Sequence, residues 1–254
     1  MNFARMETSD DAALGGRLRL RQPLRGHRFG HDAILLAAAT GSRSGEHAVD
    51  LGAGVGAAGL ALAVRVPGLK VTLADIDEGL CALANDNAQR NGLADRVRAV
   101  ALDVTDPHAF AAAGLPPGCA DRVLMNPPFN DRSHLSPDAR RRLAHAGTAD
   151  TLPRWVEAAA RLLKPQGVLT LIWRADGIDD VLGALAADFG GVTVLAVHPR
   201  PGAAAIRVLM RASKGVAAPV SYVAAITLND SSGQPTAPAE AVLREGCTLA
   251  LAEI

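Results

Sequence analysis

VDLGAGVGAAG (residues 49–59) joins a predicted buried strand, HAVDL (47–51), to a predicted helix, GAAGLALAVRV (56–66). Glycine permits sharp turns and lets the backbone approach a ligand where a Cβ would clash, so Gly52 and Gly54 predict a ligand-binding turn. The first amides of the helix that follows have no partner inside the helix and favour a polar ligand. Gly54–Gly59 also satisfies the GxGxxG pattern of dinucleotide binders. A dinucleotide site and a purely structural turn therefore both remain open at this point.

Segments with the pattern of buried strands alternate with helical segments after this stretch. Seven strands are predicted, at 47–51, 70–75, 96–103, 119–126, 167–173, about 191–198 and about 205–211. The predicted helices after 56–66 cover 78–92, 151–167 and about 177–189, the second of these ending at Pro165 and Gly167. Such alternation predicts an α/β fold, with a mainly parallel seven-stranded sheet and helices on both faces. Ligands of such sheets bind beyond the carboxyl ends of the strands, at the switch in strand order.

Residues 1–45 form a predicted N-terminal extension of this fold. The first part, 1–13, has the composition of a polar leader. Leu and Arg alternate between Gly15 and Phe29, which predicts a short hairpin with one basic face. An apolar run from about Asp32 to Thr40 predicts a helix, with the Asp32 side chain as its N-cap.

The rest of the chain divides into a core and a tail. The 254 residues are 49% hydrophobic, enough to bury one substantial core. We assign 46–214 to the α/β domain and 215–254 to a C-terminal tail packed on the same domain. The tail contains a turn-rich loop at 229–235 and one predicted short helix, APAEAVLREG (237–246).

The charge balance and the cysteines restrict the class of protein. Lys plus Arg equals Asp plus Glu, so the formal net charge is zero and a nucleic-acid partner requires a local basic patch. No apolar run approaches the ~20 residues that cross a bilayer, and the N-terminal residues lack the apolar segment of a signal peptide. The three cysteines lie far apart and show no metal-ligand spacing. We expect a cytoplasmic protein with no metal and no membrane partner.

Two acidic residues end consecutive predicted strands. Asp75 ends the second strand, where its carboxylate can accept hydrogen bonds from both hydroxyls of a ribose. Asp103 ends the third strand, where it can accept one from an adenine amino group. Each alone is more often a solvated strand end or a helix cap, but together with the glycine turn they predict an adenosine-containing ligand.

The fourth strand ends in MNPPFN (125–130), which favours methyl transfer. The Asn126 side-chain oxygen and the Pro127 carbonyl are two acceptors that can hold an NH2 group by its two hydrogens. That grip turns the nitrogen lone pair towards an electrophilic methyl group, and Phe129 offers a face for stacking a planar acceptor. Catalysis of this kind is mainly positioning, which can contribute ~7–11 kcal/mol. A rigid proline turn is the structural alternative.

DLGAGVG, LADID, LDV and NPPF, in that order and spacing, resemble class I methyltransferases of the N6-adenine/N5-glutamine type. Outside these motifs, GGRLRLRQPLRGHRFGHDAILLAA and HPRPGAAAIRVLMRASKG are similar to the bacterial tRNA1(Val) adenine-37 N6-methyltransferase group. The resemblance implies a Rossmann-like class I methyltransferase fold and S-adenosyl-L-methionine as cofactor. The implied cofactor residues are Asp50, Gly52, Ala53, Gly54, Asp75, Ile76, Asp103 and Val104, with Asp32 near the donor pocket. The implied catalytic residues, which would hold the target amine, are Asn126, Pro127, Pro128 and Phe129.

Three groups of basic residues provide candidate RNA contacts. They are Arg17, Arg19, Arg21, Arg25 and Arg28; Arg140, Arg141 and Arg142; and Arg200, Arg207, Arg211 and Lys214. We expect the second group to bind substrate, because it follows the acceptor motif. Any one such group is more often a solvated face. Three groups flanking one site favour a polyanion, and tRNA is the predicted partner.

Four other interpretations stay open on the sequence. One keeps the chemistry with a different acceptor: a guanine in ribosomal RNA, an adenine in DNA, or a protein glutamine. Another is a non-catalytic module that binds S-adenosylmethionine or adenosine, although such a module does not need an amine clamp. A structural proline turn is the third. An oxidoreductase that uses GVGAAG (54–59) is the fourth, and it leaves NPPF unexplained.

Overall fold

A computed structural model describes residues 7–25, 28–128 and 151–253 of the chain. A nine-stranded sheet forms its centre, and a two-stranded hairpin lies beside it. The strands are β1 Thr8–Ala13, β2 Leu18–Pro23, β3 His47–Leu51, β4 Lys70–Asp75, β5 Val97–Ala101, β6 Ala120–Met125, β7 Leu163–Arg174, β8 Phe189–His198, β9 Arg207–Lys214, β10 Ser221–Tyr222 and β11 Ile226–Thr227. The helices are α1 His31–Ala39, α2 Ala57–Arg65, α3 Glu78–Arg90, α4 Ala109–Ala112, α5 Thr151–Leu162, α6 Ile178–Leu185 and α7 Ala237–Leu243.

The strand order places the switch point between β3 and β6. The sheet runs β10-β8-β9-β7-β6-β3-β4-β5, and β11 also pairs with β8. Strands β3 to β7 are parallel to their neighbours in this group, and β9 is antiparallel to both β7 and β8. From β3 the chain moves outward through β4 and β5, then returns to the other side of β3 as β6. The ends of β3 and β6 therefore border the crevice where such sheets bind ligands.

Apolar side chains cover both faces of the sheet, which explains the nearly continuous apolar strands. Along β6, Leu124 packs in one core with α1, α2 and α3, whereas Val123 and Met125 pack in the other with α4, α5 and α6. A mainly parallel α/β sheet with helices on both faces is confirmed. The number of strands was wrong: β10 and β11 add to the seven predicted. Each is only two residues long, too short for a detectable alternation, and forms by pairing with β8.

The N-terminal hairpin differs from its prediction. Its first strand, β1, lies in the segment that was interpreted as a polar leader, and it pairs along its whole length with β2. Alternation in β2 is as expected, because Leu18 and Leu20 are fully buried while Arg19 and Arg21 point outward. Strand β1 has no apolar pattern of its own, since its sequence is TSDDAA. It is a strand because β2 offers it backbone partners.

Two helix ends also differ from expectation. The N-cap of α1 is Gly30 without a side-chain hydrogen bond, and Asp32 lies in the first turn instead of capping the helix. Helix α5 ends at Leu162, before Pro165 and Gly167, because Leu163 already pairs with Ala120 of β6. A residue that precedes proline also disfavours helical geometry, so the chain extends into β7 at this point.

Candidate active site

The two motifs meet at the ends of neighbouring strands. Leu51 of β3 pairs with Met125 of β6 on one side and with Ala74 of β4 on the other. Neighbouring strands lie about 4.8 Å apart, so Gly52 and Asn126 begin adjacent connections at the same edge of the sheet. The sequence places these residues 74 positions apart, and the parallel sheet brings them together.

The donor loop, Gly52–Gly56, is held in a tight turn by hydrogen bonds from its own backbone. The amides of Gly52 and Ala53 donate to the Ala74 carbonyl at 2.8 and 3.0 Å. The Gly54 amide donates to Oδ2 of Asp75 at 2.7 Å. Strand β4 thus fixes the shape of the loop that follows β3. Ala53 and Gly54 stay partly exposed at the crest of the loop and Gly52 is exposed.

Gly52 and Gly54 are glycines for different reasons, although both have positive φ angles, of 70° and 56°. A Cβ on Gly52 would collide with the indole ring of Trp155, whereas a Cβ on Gly54 would meet nothing within 4 Å. The Trp155 indole of α5 therefore packs directly on the first residue of the loop. Sequence reasoning missed Trp155, because its partner lies 103 residues away and its own helical spacing indicates only a core position. Open space beside Gly54 fits a bound ligand.

Asp50 is a buried acceptor that holds the first turn of α2, directly after the donor loop. Its side chain is only 2% exposed, and its Oδ2 accepts a hydrogen bond from the Gly59 amide at 2.8 Å. Burial raises the pKa of Asp50 to about 7, with the Gly59 amide opposing and the nearby Asp75 carboxylate adding to the rise. As a predicted cofactor residue, Asp50 acts on the loop and does not line its exposed surface.

Asp75 and Ile76 lie beside the crest of the loop. Besides Gly54, the Asp75 carboxylate accepts from the Asp77 amide through Oδ1 at 3.0 Å, and burial raises its pKa. Each carboxylate oxygen has more than one lone pair, so both can still accept from ribose hydroxyls. The Ile76 side chain is 65% exposed next to this loop. Together they offer a polar and an apolar contact, as an adenosine requires.

Asp103 and Val104 follow β5 at the same edge of the sheet. Ala101 pairs with Asp75, so Asp103 lies two residues beyond the level of Asp75. Oδ1 of Asp103 accepts from the amide and the hydroxyl of Thr105, at 2.8 and 2.7 Å. Val104 is buried, at 7% exposure. Local hydrogen bonds therefore already stabilise the turn at Asp103. Its contact with an adenine stays a prediction.

The acceptor motif follows β6 directly. Asn126 and Pro128 are partly buried and Pro127 is buried. The two prolines fix the φ angle of the chain and donate no hydrogen bond, which leaves carbonyl groups as the polar backbone atoms there. Phe129 and the predicted substrate residues Arg140, Arg141 and Arg142 lie outside the described residues.

Asp32 is engaged by another protein group. Its Oδ2 accepts a hydrogen bond from Nε of Arg207, the first residue of β9, at 2.9 Å. This ion pair joins α1 to the sheet. The expected role of Asp32 near the donor stays a prediction.

The two described basic groups are partly neutralised or dispersed. Arg21 pairs with Asp86 at 3.3 Å, and Arg28 pairs with Asp11 at 2.9 Å. Arg207 and Lys214 stand at opposite ends of β9, about 23 Å apart at the rise of an extended strand. Arg207 and Lys214 therefore do not belong to one compact basic cluster.

No helix in the described part of the chain is long and apolar enough to cross a membrane. No group of three or more His, Cys, Asp or Glu residues in the same ranges could hold a metal ion.

Comparison with known proteins identifies the fold family. The profile described as "Methyltransferase small domain" matches residues 30–200. A tRNA1(Val) (adenine(37)-N6)-methyltransferase of Porphyromonas gingivalis is 32% identical over 158 residues, which cover 61% of each protein. A release factor glutamine methyltransferase of Chlorobaculum tepidum is 31% identical over 169 residues, or 63% of this chain and 56% of that protein. The chain thus matches about three fifths of the length of these curated relatives.

A solved structure agrees over a longer span. A predicted O-methyltransferase of Agrobacterium tumefaciens aligns with a TM-score of 0.73 at 27% identity, covering 86% of this chain and 98% of that one. The fold is therefore that of the Rossmann-like methyltransferases that use S-adenosylmethionine.

Proposed function

The chain belongs to the methyltransferase small domain family, and we propose that it transfers a methyl group from S-adenosylmethionine to N6 of an adenine in tRNA. The main support is the position of Gly52 and Asn126 at the ends of two paired parallel strands. Transfer between two bound molecules requires their sites to lie side by side, and such placement can lower the barrier by about 7–11 kcal/mol.

The donor side fits S-adenosylmethionine. When bound, this molecule supplies an electrophilic methyl group on a positively charged sulfur. The exposed crest of the donor loop provides room for its methionine part, and the Asp75 carboxylate provides acceptors for its ribose hydroxyls. The exposed Ile76 side chain provides an apolar contact for its adenine ring.

The acceptor side fits an exocyclic amino group. The Asn126 side-chain oxygen and the Pro127 carbonyl would each accept one hydrogen of the NH2 group. This grip withdraws the nitrogen lone pair from conjugation and aligns it with the methyl group. As the nitrogen formed its bond to the methyl group, the bond between that group and sulfur would break, and the positive charge would pass from sulfur to nitrogen. The cationic amine would then release one proton to water, so no strong general base is required. The protein's part is to orient the amine and to exclude water.

A nucleic-acid base and a protein glutamine both present an NH2 group, so the acceptor is the finer part of the proposal. The names of several relatives, including those of Porphyromonas gingivalis and Tolumonas auensis, support a tRNA adenine. The Chlorobaculum tepidum relative, named for release factor glutamine, supports the second candidate. Phe129, which follows the two prolines in the sequence, favours a planar base through stacking.

The test is transfer of a labelled methyl group from S-adenosylmethionine to four separate acceptors: unmodified tRNA transcripts, ribosomal RNA, duplex DNA and a release factor. Donor binding is measured in parallel by calorimetry. We expect label in tRNA, recovered as N6-methyladenosine after digestion to nucleosides. Label in the release factor alone would show that the acceptor is a protein glutamine and not a tRNA adenine. Methyl transfer to an amino group would still hold. Donor binding without transfer to any of the four would contradict the proposed activity.

A further inference from the structure

Asn87 of α3 is a polar side chain with no exposed surface. Its carboxamide makes three hydrogen bonds to backbone groups of two other segments. Oδ1 accepts from the Arg21 amide at 2.8 Å, and Nδ2 donates to the Arg21 carbonyl at 2.9 Å. The same Nδ2 donates to the Val55 carbonyl of the donor loop at 3.1 Å. Both Nδ2 hydrogens are thus used, and the carboxamide bridges hairpin strand β2 and the donor loop.

The Val55 carbonyl needs this partner because of the way α2 begins. The first helical hydrogen bond runs from the Leu60 amide to the Gly56 carbonyl, at 2.9 Å. If the helix began one residue earlier, the Gly59 amide would donate to the Val55 carbonyl. Instead the Gly59 amide donates to Asp50, and the Val55 carbonyl accepts from Asn87. Two buried side chains therefore satisfy the two backbone groups that the tight turn separates.

Within the loop, the Gly56 amide donates to the Ala53 carbonyl at 2.8 Å, and three further hydrogen bonds join the loop to strand β4. Strand β4 holds Gly52, Ala53 and Gly54 through the Ala74 carbonyl and the Asp75 carboxylate. Asn87 adds a hydrogen bond from α3, to the Val55 carbonyl. We propose that Asn87 is a positioning residue for the donor: it keeps the loop in its ligand-binding turn and ties that turn to the hairpin. This inference rests on the donor site proposed above.

Asn91 provides a matched control one helical turn later. Its Oδ1 accepts from the Arg19 amide at 2.9 Å, and its Nδ2 donates to the Arg19 carbonyl at 2.7 Å. Asn91 thus holds strand β2 in the same way, because its carboxamide pairs with the amide and the carbonyl of one β2 residue. Its described hydrogen bonds do not include the donor loop. Its Nδ2 also donates to the backbone carbonyl of Asn87 at 2.7 Å. A change at Asn91 therefore loosens the hairpin and the last turn of α3, whereas a change at Asn87 loosens the hairpin and the donor loop.

The experiment compares Asn87→Ala with Asn91→Ala in the full chain. The measurements are the Kd of S-adenosylmethionine by calorimetry, and KM and kcat with the acceptor that the transfer experiment identifies. Asn87→Ala should weaken donor binding about tenfold, the scale of one lost buried hydrogen bond, and Asn91→Ala less than about twofold. With saturating donor, kcat of Asn87→Ala should stay within about threefold of wild type, because the amine-holding residues are unchanged. A general structural defect would instead lower kcat even when the donor is saturating.

A second variant changes the hydrogen-bonding groups of the side chain with little change in its volume. Asn87→Asp has nearly the same volume and keeps the acceptor for the Arg21 amide, but it lacks both donors, so it should weaken donor binding at least as much as Asn87→Ala. Thermal unfolding of all three variants shows which of them fold. Equal donor affinities for the Asn87 variants and Asn91→Ala would overturn the role of Asn87. Absence of donor binding by the wild-type chain would instead overturn the proposed function.

Discussion

The donor side and the acceptor side of the site are rigid for different reasons. On the donor side, buried or partly buried polar side chains hold the loop and the start of α2: Asp50 accepts from the Gly59 amide, Asp75 accepts from the Gly54 amide, and Asn87 donates to the Val55 carbonyl. On the acceptor side, the two prolines after Asn126 restrict the backbone covalently. Donor geometry therefore depends on side chains from several elements, whereas acceptor geometry depends on a few consecutive residues.

This difference predicts that the two functions separate by mutation. Changes around the donor loop should alter donor affinity and protein stability together, because the same buried groups serve both. Changes at the amine-holding side chain should alter turnover with little effect on donor affinity or stability.

The largest effect is expected at Asn126. Asn126→Ala removes one of the two acceptors for the amino group, so turnover should fall roughly 10²–10³-fold, the scale of losing one preorganised polar group. The donor Kd should stay within about threefold of the wild-type value. Asn126→Asp is the control, since it retains an acceptor oxygen and should keep more turnover than the alanine variant. Loss of donor binding in Asn126→Ala would show that the two sides are not separate.

The next effect concerns Asp50 and pH. Its pKa rises from an ordinary 3.8 to about 7 in the folded chain, so between these values the folded state keeps a proton that the unfolded state has released. The contribution of Asp50 to stability therefore falls as pH rises from about 4 to about 7, by up to ~1.4 kcal/mol per pH unit, and is constant above that window. Asp50→Asn removes the titration and can keep the acceptor for the Gly59 amide.

Urea unfolding of the wild type and the Asp50→Asn variant at several pH values tests this effect. The quantity compared is the free energy of unfolding of the wild type minus that of the variant. This difference should decrease between about pH 4 and about pH 7, because only the wild type has the titrating carboxyl group. Parallel curves over that range would contradict the raised pKa.

These predictions also show which parts of the molecule the sequence could supply. The seven main strands and the glycine turn depend on local patterns, and residues such as Gly52 and Asp75 lie where those patterns place them. Strand β1 and the two-residue strands β10 and β11 exist through pairing with distant segments, so their own sequences give no signal. The contact of Trp155 with Gly52 and the bridge from Asn87 to Val55 are likewise visible only once the elements are packed.

A smaller effect distinguishes two glycines of the donor loop. Both Gly52→Ala and Gly54→Ala place a side chain at positive φ, which costs about 1–2 kcal/mol. At Gly52 the Cβ also collides with Trp155, which should add roughly 1–3 kcal/mol of lost stability. At Gly54 the Cβ points into open space, so no further loss of stability is expected and the added methyl group should lower donor affinity. Gly52→Ala should therefore lose more stability, and Gly54→Ala more donor affinity. Chemical unfolding and donor titration of both variants test this, and equal losses of stability would contradict it.

The smallest effect is expected at Asp32, the predicted donor residue that the structure pairs with Arg207. The two side chains are 30% and 27% exposed, and a pair of this kind typically contributes less than about 1 kcal/mol. Asp32→Asn should therefore lower stability slightly and change the donor Kd less than about threefold. Asp75→Asn, the matched change at a carboxylate beside the loop, should weaken the donor about tenfold, because charge-assisted hydrogen bonds are stronger. Donor titration of both variants decides the question. If Asp32→Asn weakened the donor as much as Asp75→Asn, the donor side would extend across the sheet to α1, and its rigidity would also depend on the ion pair with β9.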